Sequence, residues 1–206
     1  ARSSRAKLPL HISSVHRKKA ASRTKVRAVR TKIRIPAQLV RNRTLTPILK
    51  AMSKPIKYLV IHCTATPEGR EVSSAEIRHW HTDPVSKGGR GWKQVGYTDM
   101  VHLDGRVEHL VDNNEDACVD PWEVTNGAAG FNNISRHIVY VGGCDKDMKP
   151  KDTRTAAQRE ALKRYVEDFH RRFPQIRIVG HHELNPGKAC PSFDVQKWLR
   201  EIGIRQ

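Results

Sequence analysis

The sequence predicts one α/β domain, a mixed central β-sheet flanked by helices, preceded by a basic N-terminal arm. Short apolar runs at 57–63, 136–143 and 176–180 have the length of buried strands. The segment 152–173 carries an apolar stripe at helical spacing. Strands and helices then mix without strict alternation, which points to a mixed sheet.

Taken in order, "KYLVIHC" (57–63) is the first strand. "SSAEIRHWH" (73–81) is a helix whose opening serines suit N-capping, with Ile77 and Trp80 on one face. "VGYTDMVHLDGRVEHL" (95–110) is two alternating segments around Asp104-Gly105, a hairpin, because Gly accepts a positive φ. "RHIVYVGG" (136–143) is a strand ending in two glycines. In "DTRTAAQREALKRYVEDFHRRF" (152–173), Thr155 and Gln158 form a capping box. Leu162, Tyr165, Val166, Phe169 and Phe173 form its stripe, and Pro174 stops the helix. "IRIVG" (176–180) is a strand that runs directly into two histidines. "SFDVQKWLREIGI" (192–204) closes the domain as a helix, with Val195, Trp198, Leu199 and Ile202 inward.

The net charge of +17 over 206 residues suggests a nucleic-acid binder until it is located along the chain. Residues 1–55 hold 16 of the 38 Lys and Arg and no acid, so residues 56–206 balance 22 basic residues against all 21 acids. The domains are therefore a basic arm, 1–55, disordered or loosely docked, and a near-neutral globular unit, 56–206. Within the arm, "TKVRAVRTKIRI" fits a strand and a helix equally poorly, and the acid-free, Arg- and Ser-rich composition also resembles a transit peptide. Specific nucleic-acid binding is not expected of the domain. No apolar run approaches the roughly 20 residues of a membrane helix. No signal-type segment opens the chain, so synthesis in the cytoplasm is expected. Cys63, Cys118, Cys144 and Cys190 are too scattered for a disulfide framework, and the first three are expected as free thiols. Cys63 follows His62 and so points to the opposite face of its strand.

His62 lies at the end of the first strand, His181 and His182 at the end of the last, and Cys190 in the loop after them. Two imidazoles and a thiolate leave a fourth position for water, the pattern of catalytic rather than structural zinc. Spacing alone leaves ligand and hydrogen-bonded structural roles both open. His79, His81, His102, His109, His137 and His170 read as structural.

The words "VIHCTAT", "IRHWH", "GWKQVGYTDMVHLDGRVE", "YVGGCD", "TAAQREAL" and "HHELNPGKACPSFD" occur in this order. Over roughly residues 56–200 the chain resembles the zinc-dependent N-acetylmuramoyl-L-alanine amidases of phage-lysozyme type, which share a fold with the peptidoglycan recognition proteins. The resemblance implies Zn2+ held by His62, His181 and Cys190, with His182 the alternative in the pair and otherwise a support behind the ligands. It also implies a catalytic tyrosine at Tyr97 and a catalytic lysine at Lys188. Zinc would activate water, Lys188 would stabilise the oxyanion, and Tyr97 would hydrogen-bond the water or relay a proton. Without the resemblance, Tyr97 reads as a packed strand residue and Lys188 as a solvated loop charge.

There are departures. The loop 185–187 is one residue longer than the family pattern, and the histidine that often precedes the family's "SIG" strand is missing from "TNGAAGFNNISRHIVYVGG", with His137 displaced into the strand. Asn132 and Asn133 are candidates for substrate contact or turn residues; Trp80 and Trp92 are candidates for sugar stacking or packing.

The implied function is peptidoglycan hydrolysis between N-acetylmuramic acid and L-alanine, in phage lysis or wall turnover, by an enzyme acting on the cell wall as a monomer. The arm would attract anionic envelope polymers. The rival reading is a recognition domain that binds peptidoglycan without cutting it; the presence of Cys190 argues against it.

Overall fold

The computed structural model describes residues 52–206, so the expectations for residues 1–51 lie outside the described residues. In chain order the strands are β1 (Lys54–Pro55), β2 (Tyr58–Cys63), β3 (Thr66–Pro67), β4 (Asp99–Val101), β5 (Val107–His109), β6 (Cys118–Val119), β7 (Ser135–Tyr140), β8 (Gly143–Cys144) and β9 (Arg177–Gly180). The helices are α1 (Ser74–Thr82), α2 (Ala156–Arg172), α3 (His181–Leu184) and α4 (Val195–Glu201).

The central sheet runs β5-β4-β7-β2-β9, with β2 parallel to both neighbours and only β5 antiparallel. It is the expected mixed sheet. Parallel strands covered on both faces read as near-continuous apolar runs, which is why "YLVIHC" shows no alternation. One face packs Leu59, Ile61, Ile138 and Tyr140 against Leu162, Val166 and Phe169 of α2 and Trp198 and Leu199 of α4. The other packs Met100, Val139 and Val141 against Ile77 of α1. Because β2 is central and parallel to both flanking strands, its carboxyl end opens into the crevice where α/β sheets bind ligands.

Local chemistry sets the element ends. Ser73 and Glu76 cap α1 reciprocally. Gly105 takes φ 84° at the tip of the β4–β5 hairpin. Thr155 accepts from the Gln158 N–H at 3.0 Å and donates to the Leu103 carbonyl at 2.8 Å. The buried Gln158 amide donates to the carbonyls of Val141 (2.9 Å) and Val101 (3.3 Å), tying the start of α2 to the strand ends beside it. The last helix stops at Glu201, so Ile202 is only half-buried and Ile204 packs into the core instead. Lys54 and Pro55, which charge alone assigns to the arm, pair antiparallel with β6. Two backbone pairings outweigh composition at that boundary.

Replacing Thr155 by Ala should lower stability by about 1 kcal/mol. In thermal unfolding this appears as a fall of about 2–4 °C, with hydrolytic activity at 25 °C unchanged.

Candidate functional site

The site grows out of strand register. His62 pairs with Val139 on the α1 face of β2, and β9 pairs in register up to Ile61 with Gly180. The residue after Gly180 therefore emerges level with His62, and the His62 and His181 ring centroids lie 4.7 Å apart. His182 turns the other way. Its backbone N–H donates to the Cys190 carbonyl at 2.8 Å, and its Nδ1 lies 3.1 Å from the same oxygen. These contacts fold the 185–190 loop back, leaving Cys190 Sγ 3.6 Å from His62 Nδ1 and 3.3 Å from the Cys63 N–H that donates to it. One ligand atom each from His62, His181 and Cys190 then lies within 4.8 Å of the others.

This donor set fits a cation such as Zn2+. His62 is buried, and burial foremost, with His137, His181 and His81 adding to it, holds its pKa well below 6.5. Burial, Lys188 and His182 lower that of His181. Both imidazoles are thus neutral and able to ligate. The Cys190 thiol is pushed well above its usual range, first by its hydrogen bond with the Cys63 thiol and then by burial. The same contact lowers Cys63 to about 7, so the two sulfurs compete for one negative charge. With the Cys63 N–H and His62 Nδ1 beside it, Cys190 is the sulfur on which a cation would fix that charge, with release of a proton.

The cluster lies in a cavity of about 480 Å³ that Tyr97 and Lys188 also line. Tyr97 packs its ring 5.2 Å from His62 and 5.3 Å from His81. Burial first, then the two sulfurs, raises its pKa, so the phenol keeps its proton. Lys188 is exposed on the loop that Asn185 closes, through its carbonyl to the Lys188 N–H (3.0 Å) and its Oδ1 to the Gly187 N–H (3.1 Å). These bonds make 185–188 a tight turn.

Trp80 and Trp92 both line the cavity, with the Arg70 guanidinium 5.5 Å from Trp80 and that of Arg90 5.2 Å from Trp92. Asn132 and Asn133 do not line it; Asn132 accepts from the Ala128 N–H at 2.8 Å, a turn role. Cys63 is a buried thiol in the cluster on the opposite sheet face, as expected, yet the strand end brings it against Cys190. All four cysteines are free.

Sequence reasoning missed three residues. His81 lines the cavity, takes the Gly96 N–H on Nδ1 at 3.1 Å, and stacks on Trp92 at 4.9 Å. Burial and then Arg90 lower its pKa to about 4. Asn126 lines the same wall. His137 is fully buried, with Nδ1 3.0 Å from His62 Nε2. The tryptophan beside His81 was an available signal; nothing local marked His137, because contact with His62 depends on register. His102, by contrast, is held between Glu71 and Glu108 at 2.8 Å each, and His109 meets Asp99 at 2.6 Å, structural roles as expected.

Residues 52–193 match the family described as N-acetylmuramoyl-L-alanine amidase. The endolysin of Enterobacteria phage K11 is 34% identical over 68% of this chain and 83% of its own length. That of Escherichia phage T7 shows the same identity and coverage. Among solved structures, the Ph2119 endolysin from a Thermus scotoductus bacteriophage is 27% identical, with a TM-score of 0.54 over 74% of this chain and 87% of that one. An amidase from Clostridium intestinale, LysC, is 16% identical with a TM-score of 0.53 over 73% and 87%, a likeness of fold.

The depressed histidines make stability depend on pH. On unfolding, His81 returns from about 4 and His137 from about 3 to the ordinary 6.5. Between about pH 6.5 and 4 the unfolded chain binds more protons, so stability rises with pH across that window and is lost on acidification. Denaturant unfolding of chelator-treated protein should show that loss, by up to ~1.4 kcal/mol per pH unit for each such histidine. A flat profile would refute neutral burial.

Proposed function

We propose how this chain, which belongs to the N-acetylmuramoyl-L-alanine amidase family and hydrolyses peptidoglycan, performs its reaction. His62, His181 and Cys190 hold one Zn2+ ion in the cavity. The observation that carries this is their convergence within 4.8 Å, in the same cavity as Tyr97 and Lys188. When bound, the ion supplies the Lewis acidity that makes water nucleophilic near neutral pH.

The chain's own residues do the rest. The cavity walls carrying Trp80, Trp92 and Asn126 receive the glycan–peptide and place the amide between the lactyl group of N-acetylmuramic acid and L-alanine beside the cluster. Tyr97, with its proton held, donates a hydrogen bond to the attacking water or to the developing oxyanion. The Lys188 ammonium neutralises charge developing on the amide oxygen. His182 keeps Cys190 in place through the Cys190 carbonyl.

The endolysin relatives support action on the cell wall in phage lysis. Among the described residues no helix is long and apolar enough to cross a membrane. Residues 1–55, with 16 basic residues and no acids, draw the enzyme to anionic envelope polymers, and the enzyme works as a monomer.

The Cys190→Ser variant should lose most of the bound metal and most of the L-alanine amino groups released from purified sacculi. Lys188→Ala should keep the metal and lose about 10²–10³-fold in kcat. Full metal and full rate in Cys190→Ser would disprove the ligand set. A 52–206 truncation should match the full chain at high salt and fall below it at low salt; equal lysis at low salt would remove the arm from the mechanism.

A further inference from the structure

His137 is buried at 0% exposure and does not line the cavity, so it touches no substrate, yet it contacts one proposed ligand directly. Its place follows from the sheet. Val60 pairs with His137 and His62 with Val139, so the two histidines are diagonal neighbours on one face. Their rings meet through His62 Nε2 and His137 Nδ1, 3.0 Å apart.

A neutral imidazole has one N–H and one lone pair. His62 Nδ1 lies on the Cys190 side, 3.6 Å from the sulfur. If Nδ1 is to offer a lone pair there, the His62 proton must sit on Nε2 and needs an acceptor. His137 Nδ1 is that acceptor. In the opposite arrangement His137 donates, the His62 proton moves to Nδ1, and the side facing Cys190 is blocked. With Nδ1 accepting, the His137 proton sits on Nε2, which has no hydrogen-bond partner among the described residues, so the arrangement carries one buried unpaired N–H.

Room for the ring comes from a glycine. A Cβ at residue 127 would lie 2.5 Å from His137 Nδ1 and 2.6 Å from the Gly96 carbonyl oxygen. Gly127 sits in "TNGAAG", the segment that lacks the family's groove histidine.

We propose that His137 is a positioning residue, accepting the His62 Nε2–H so that Nδ1 presents its lone pair to the cation. This rests on the ligand set proposed above. Partners of this kind behind a ligating histidine typically change metal affinity by about 10–100-fold.

The test measures Co2+ and Zn2+ affinity of the full chain by chelator competition, with the cobalt d–d and thiolate bands as the spectroscopic readout. His137→Leu keeps bulk and removes the acceptor; His137→Asn places Oδ1 where Nδ1 was. The expected result is a loss of about 10–100-fold in affinity with altered cobalt bands for His137→Leu, and affinity within a few-fold of the parent for His137→Asn. Metal-free thermal unfolding of both variants shows whether packing alone explains the difference. Parent-like affinity in His137→Leu, or equal weakening in both variants, overturns the proposal. If His137→Leu does not fold, Gly127→Ala takes its place: displacing the ring should weaken metal binding, and unchanged affinity overturns the proposal. Cys190→Ser separates the two readings: a parent that binds no metal, or a Cys190→Ser variant that binds it fully, fails the ligand set rather than His137.

Discussion

The register of β2 against β9 is the constraint on which the site depends. Pairing ends at Ile61 with Gly180, so the residue after each, His62 on β2 and His181 at the start of α3, emerges at the same height over the sheet. A slip of one residue would turn His62 to the α2 face, among Leu162 and Phe169, and send Cys63 to the cavity. The apolar faces of β2 hold that register: Leu59 and Ile61 are needed on one side, Val60 on the other, and all three are fully buried. Core packing and the metal-type cluster are thus specified by the same alternation.

Burial then decides the chemical state of the cluster. Enclosing imidazoles in a low-dielectric wall disfavours their charged forms, which leaves His62, His81, His137 and His181 neutral. The same enclosure keeps the Tyr97 phenol protonated and so restricts it to donating. Lys188, on the exposed loop, is the charged group of the proposed set that stays hydrated, suited to meeting charge that appears during reaction.

The loop carrying Cys190 is positioned by backbone contacts at both of its ends. His182 holds the Cys190 carbonyl from one end and Asn185 closes the turn at the other, which fixes the sulfur. Behind His62, the absence of a Cβ at Gly127 leaves the space that the His137 ring occupies.

The sequence by itself determined the elements and their polarity: the unalternating strand expected at 57–63, the serine N-cap before the first helix, the capping box at Thr155, the Asp-Gly hairpin, and the family to which the ordered motifs belong. Each is a local signal, carried by periodicity, turn chemistry or contiguous words. Through the family resemblance it also implied the set His62, His181, Cys190, Tyr97 and Lys188, which the structure gathers around one cavity. Only the tertiary structure decided that His181 rather than His182 turns towards His62, that His81 and Asn126 line the groove, that Cys63 meets Cys190, and that His137 lies behind His62. The physical reason is that these contacts join residues as far apart as His62 and His137, 75 positions, or Cys63 and Cys190, 127 positions, and no local pattern in the chain encodes which strand will lie beside which.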